Sequence, residues 1–116
     1  MIGDRVVVGD GYTWKEESGV VVMTYAPQLN ESGHLNKTPD GGVVVSNQGG
    51  VKVGSTGVID GPVINVHRSY LHNAQNYTKS FGGTDFIQMV PVFLDKYQRV
   101  GYFPVDNLRL FGSFAN

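Results

Sequence analysis

An all-β fold is what this sequence predicts, and three observations point there. Residues 86–110, FIQMVPVFLDKYQRVGYFPVDNLRL, follow a period of two. Val90, Val92 and Leu94 interleave with Pro91 and Phe93, and Val100 and Tyr102 resume the alternation after a polar turn. Triple-valine runs at 6–8, 20–22 and 43–45 supply β-branched side chains, which lose χ1 freedom in a helix and pack well on a pleated surface. Sixteen glycines suit many tight turns between short strands. No stretch carries an apolar stripe at helical spacing, and residues 69–77 offer one helical turn at most.

The elements follow in order. Residues 5–8 form the first expected strand, followed by 19–25 (GVVVMTY), 42–46 (GVVVS) and a short 51–53. Residues 57–66 (GVIDGPVINV) read as a strand interrupted at Gly61-Pro62. Residues 86–94 and 99–103 make a hairpin around Asp95-Lys96-Tyr97-Gln98. Pro104 has no N–H to give a ladder and ends that strand, and Asp106-Asn107 turns into a closing strand at 108–110.

Two polar insertions, at 26–41 and 67–85, are far longer than an ordinary hairpin loop, and loops of such length tend to carry function. Gly19-Val20-Val21 precedes the first and Gly57-Val58-Ile59 the second. Gly41-Gly42-Val43 ends the first, and Gly82-Gly83-Thr84-Asp85-Phe86 the second. A decayed internal duplication of about 40 residues fits this pattern. Chance similarity in a Gly- and Val-rich chain fits it as well.

Length predicts a single domain, 1–116, burying roughly two-thirds of its extended surface. Hydrophobic residues at 41% suit a globular chain. The absence of cysteine excludes disulfides, thiolate nucleophiles and Cys-ligated zinc or iron–sulfur centres. No run approaches the ~20 apolar residues of a membrane helix, and the N-terminus does not read as a signal peptide, so a cytoplasmic protein without membrane attachment is expected. Net charge is −1, with three basic against six acidic residues in 1–50 and six against four in 51–116. Scattered cations argue against nucleic acid, whose binders carry a dense basic stripe.

Candidate chemistry is sparse. His67 and His72 lie five apart and His34 sits in the other insertion, spacings that match neither a helical pair nor one strand face, so no metal site is predicted. Ser55, Ser69 and Ser80 lack a nucleophile elbow. Glu16 and Glu17 are adjacent and would face opposite sides of a strand. The run from Gly49 to Gly57 holds Gly, Lys, Ser and Thr without P-loop order, leaving a backbone anion nest or plain β-turns. No catalytic residue and no cofactor is predicted. The insertion at 67–85 is the most suggestive surface, because aromatics and arginine dominate interface hot spots. Trp14 is expected to be buried.

Val53-Gly54-Ser55-Thr56-Gly57-Val58-Ile59 resembles the entry motif of KOW-type SH3-like barrels. The stretch Val92-Phe93-Leu94-Asp95, followed by Gly101-Tyr102-Phe103-Pro104-Val105-Asp106-Asn107-Leu108, is similar to the last hairpin and closing strand of that barrel. Gly3 to Val8 offers a weaker second match. The resemblance implies a small SH3-like β-barrel with two long loop insertions, in which 51–116 is the KOW/SH3-like part and 1–50 adds N-terminal strands and the first long loop. It also implies a binding module. The chain departs from nucleic-acid-binding KOW proteins in lacking their basic surface, and from peptide-binding SH3 domains in lacking their acidic and aromatic cluster.

The expected function is therefore a non-enzymatic module that docks on a protein partner, either a small phage-type (viral) modulator or an accessory subunit. The expected contact residues are His67, Arg68, Tyr70, Tyr77, Lys79, Phe81, Lys96, Tyr97 and Arg99. Edge strands of the Val-rich N-terminal region offer a route to homo-oligomers. The alternative is a KOW-like nucleic-acid module using Lys52, Arg68, Lys79, Lys96, Arg99 and Arg109.

Overall fold

The computed structural model describes residues 2–16, 19–71 and 86–111. Among them are eight strands: β1 (Arg5–Val8), β2 (Val21–Pro27), β3 (Val45–Lys52), β4 (Thr56–Ile59), β5 (Ile64–His67), β6 (Phe86–Leu94), β7 (Arg99–Pro104) and β8 (Leu108–Leu110). Two short 3₁₀ turns, Arg68–Tyr70 and Val105–Asn107, complete the described elements. The chain is all-β, as expected. β1, β6 and β8 have the bounds read from the sequence, and β7 runs one residue further, to Pro104.

The strands form one antiparallel sheet in the order β3-β2-β7-β6-β4-β1-β8. β6 is its spine. β7 pairs along one side from Met89↔Pro104 to Leu94↔Arg99. The other side is shared, with β5 on the first half (Ile64↔Met89 to His67↔Phe86) and β4 on the last part (Gly57↔Leu94 to Ile59↔Val92). Gly61-Pro62 falls in the break between those two strands, as the missing proline donor requires. Residues 1–50 thus join the same sheet as the rest, through β1, β2 and β3.

One expectation is corrected at β3. Residues 42–46 and 51–53 were separate strands in the sequence reading, because Asn47-Gln48-Gly49-Gly50 has low β propensity. β2 holds them in one ladder. Its register passes from Met23↔Gly50 to Tyr25↔Asn47, two steps on β2 against three on β3, so β3 carries a bulge. Gly49 absorbs it with φ +94°, and Asn47 Oδ1 accepts from Gly49 N at 2.7 Å.

A second correction concerns the core. The small barrel expected from the sequence would bury one inner wall, but the sheet buries both faces. One cluster joins Val6, Val8, Val22, Val51, Val53, Ile59, Val92, Leu94 and Phe103. Its members come from opposite ends of the strand order, so the sheet bends until β2 and β3 reach β1. Gly54 N donates to Val8 O at 2.8 Å and Val53 N to Val20 O at 3.1 Å, which straps that approach. The second cluster holds Tyr25, Val43, Val45, Val66, Leu71, Ile87 and Met89. β6 serves both because successive side chains alternate: Ile87 and Met89 point to one face, Val92 and Leu94 to the other.

The first insertion is an ordered extension of the β2–β3 hairpin. Leu29 bridges Leu35 and Lys37 bridges Val43, while Asn30 Oδ1 accepts from the Ser32 and His34 backbone N–H groups. Its tip is exposed, and Val43 tucks under as core. Of the Val-rich N-terminal strands, β1 and β2 each have a neighbour on both sides, which leaves β3 as the edge strand of that region. Among the described strands the edges are β3, the three-residue β8 and β5, which pairs with β6 alone and meets Val43 in an isolated bridge on its other side. Among the described residues no helix is long and apolar enough to cross a membrane.

Candidate functional site

The predicted contact residues fall at two ends of β6. His67, Arg68 and Tyr70 lie at its first end, since His67 pairs with Phe86. Lys96, Tyr97 and Arg99 lie in or just after the turn that follows Leu94. A nine-residue strand separates the groups by about 27 Å, so they are not one patch. Tyr77, Lys79 and Phe81 lie outside the described residues.

At the first end polar groups satisfy one another. His67 Nδ1 sits 2.7 Å from Ser69 Oγ, and the Ser69 N–H donates to it at 3.2 Å, capping the 3₁₀ turn. Its ring meets Phe86 edge-on at 5.5 Å. Gly42 allows this approach, because a Cβ there would lie 2.8 Å from the Phe86 ring. The Thr38 hydroxyl donates to Asp40, which holds that carboxyl below its usual pKa, and His67 adds a smaller effect of the same sign. Leu71, not Tyr70, folds back as core; Tyr70 is exposed. Among the described residues no three His, Asp or Glu side chains group as metal ligands.

The turn end is different. A cavity of about 360 Å³ opens there, lined by Glu16, Lys52, Val53, Gly54, Ser55, Thr56, Lys96 and Tyr97. Three chain segments build it. The β3–β4 turn supplies Lys52 to Thr56, the β6–β7 turn supplies Lys96 and Tyr97, and the loop after β1 supplies Glu16. Gly54 lets the third segment close in. It has φ +93°, and a Cβ on it would lie 2.6 Å from Glu16 N. The two turns are locked together by Tyr97, whose hydroxyl accepts from Lys52 N at 3.1 Å.

Charge at this end is distributed unevenly. Asp95 could neutralise the neighbouring lysines but is already engaged. Its Oδ2 accepts from Arg5 Nη2 and from Thr56 Oγ1, each at 2.6 Å. Among the described residues the ammonium groups of Lys52 and Lys96 have no hydrogen-bond or ion-pair partner, and the Tyr97 hydroxyl proton has no acceptor. Arg99 lies over the Tyr97 ring at 6.0 Å and adds a further positive charge beside the cavity. Among the described residues Glu16 is the single carboxylate in the wall.

Lys96, Tyr97 and Arg99 were legible in the sequence as an exposed turn. Glu16, Gly54 and Ser55 were not predicted as contact residues, and Lys52 was expected only in the nucleic-acid alternative. The Gly49–Gly57 run was singled out for its glycines, lysine and hydroxyls, and it does contribute a wall. Its partner across the cavity lies more than forty residues away, a juxtaposition that no local pattern carries.

Elsewhere, Arg109 is engaged by Trp14, its guanidinium 3.5 Å from the ring centroid. Gly9 lets the ring pack closely, since a Cβ there would lie 2.4 Å from Trp14 Nε1. Trp14 is thus half-buried rather than a core plug, and its Nε1 is buried with no partner among the described residues. No family model, characterised protein or solved structure matches the chain.

Proposed function

We propose that this chain is a non-enzymatic binding module of the SH3-like type that docks on a protein partner through the turn end of its sheet. The fold part of this reading is supported by the order of the strands. After the β6–β7 hairpin a 3₁₀ turn leads into β8, which returns to pair with β1 (Val6↔Leu110 to Val8↔Leu108). That closing sequence is one of the features on which the resemblance to KOW-type barrels rests. Both long insertions join strands that pair with each other or with a common neighbour, which suits a decayed duplication of one hairpin unit.

The observation that carries the docking reading is the cavity, with two ammonium groups and a hydroxyl proton that have no partner among the described residues. Polar groups arranged on rigid turns beside exposed apolar surface are the composition of an interface. Phe93 and Val100, paired across β6 and β7, supply that surface on the outer face next to the turn, each more than a third exposed. A nucleic-acid reading draws less support. Arg109 is held on Trp14 and Arg5 on Asp95, so neither is free to track a phosphate backbone.

Quantitative affinity capture from cells of the source tests the proposal. The native chain should enrich a defined protein set. The double variant Lys96→Ala/Arg99→Ala should lose about tenfold of that capture, as expected for removing interface contacts, while Arg68→Ala/Tyr70→Ala keeps it. Equal capture by both variants removes the turn end from the reading, and capture abolished by nuclease transfers it to nucleic acid.

A further inference from the structure

We propose that the cavity between the β3–β4 and β6–β7 turns is an oxyanion site, which takes a carboxylate or phosphate group displayed on the partner polypeptide. The inference deepens the docking reading and rests on it. Lys52 and Lys96 contribute ammonium donors from two different turns, with no partner among the described residues. The Tyr97 hydroxyl accepts from Lys52 N at 3.1 Å and so keeps its own proton to donate. Ser55 Oγ donates to Lys52 O at 2.7 Å and lines the same wall.

Selectivity for an anion follows from where the acids are. Asp95 is paired with Arg5 and hydrogen-bonded by Thr56, and Arg99 adds charge over Tyr97, so among the described residues of the wall Glu16 alone opposes the cations. Cations lining one cavity favour an anion there, and hydrogen bonds to ionised groups are roughly twice as strong as neutral ones. The cavity volume, about 360 Å³, suits a side chain or a chain terminus rather than an extended polymer. Glu16 lies in the same wall and can accept an N–H from the partner backbone, which favours an anion carried on a peptide over a free ion.

The test uses the full ¹⁵N-labelled chain and three acetylated hexapeptides of the same length, one rich in glutamate, one with phosphoserine and one with glutamine. Either acidic peptide should shift the amides of residues 52–56 and 96–97, and the glutamine peptide should not. The response distinguishes carboxylate from phosphate as the preferred source. Affinity should fall as salt rises. Lys52→Ala/Lys96→Ala should weaken binding at least about tenfold, and Tyr97→Phe, which removes the hydroxyl while keeping the ring, should weaken it by a smaller factor. Both lysines are exposed, so the unperturbed remainder of the spectrum establishes that the variants are folded. Shifts with the glutamine peptide equal to those with the acidic ones overturn the proposal, as does no shift with any peptide or an affinity unchanged in the double lysine variant. Partner capture that survives in the double lysine variant overturns the oxyanion site while leaving the docking reading intact.

Discussion

The two ends of β6 carry the same kinds of residue and differ in what those residues have left to offer. At the Phe86 end a serine bonds a histidine and a threonine bonds an aspartate, and an aromatic ring meets the histidine edge-on. At the Leu94 end the one acid in the turn is taken by an arginine, and two lysines and a tyrosine hydroxyl face an open cavity. Residue type alone therefore does not make a site. Hydrogen-bonding capacity left unused on a rigid frame does, because folding has already met the cost of holding those groups in place.

The largest expected effect comes from the glycine that lets the cavity form. Gly54→Ala adds a Cβ against the Glu16 backbone in a left-handed conformation, and should cost about 1–3 kcal/mol. Chemical denaturation should register that loss, and the amides of 52–56 should move. Gly42→Ala is the matched change at the other end. Its Cβ meets the Phe86 ring rather than backbone, so a smaller loss is expected. A larger loss at Gly42 would break the comparison.

Next in size is the histidine cap. Ser69→Ala removes the hydroxyl from His67 Nδ1 and should cost about 0.5–1.5 kcal/mol. Partner capture should be untouched, since the first end is structural in this account. Loss of capture in a stably folded Ser69→Ala chain would assign function to the wrong end.

The smallest effects are in pH dependence. Asp40 is lowered chiefly by the Thr38 hydroxyl, so its contribution is present above the ordinary aspartate value of 3.8 and is lost as pH falls through the folded value. Thr38→Val should flatten the acid limb of stability measured by urea unfolding. Tyr102 is raised, first by burial and then by Asp60, so its contribution is complete below pH 10 and is lost as pH rises through the higher folded value. Tyr102→Phe should flatten the alkaline limb. An unchanged limb in either variant removes that group from the account.

Much of the frame was legible because it rests on local signals. The alternation in β6 and β7, the donorless Pro104 and the Asp95–Gln98 turn are read within a few residues of chain, and all are found. The bulged β3 was missed because its polar centre is held by β2, which a propensity argument cannot see. The second core was missed for a related reason. Ile87 and Met89 look like one more apolar alternation until Val43 and Leu71, from distant segments, cover that face. The cavity follows the same rule: Lys96 and Tyr97 were visible as an exposed turn, but Lys52, Gly54 and Glu16 reach them only through the bend of the sheet.

One spectrum can interrogate both ends of β6 together. Titrating the labelled native chain with the glutamate-rich peptide should move amides 52–56 and 96–97 and leave 64–70 still. Movement confined to 64–70, or none anywhere, would contradict the assignment of binding to the turn end.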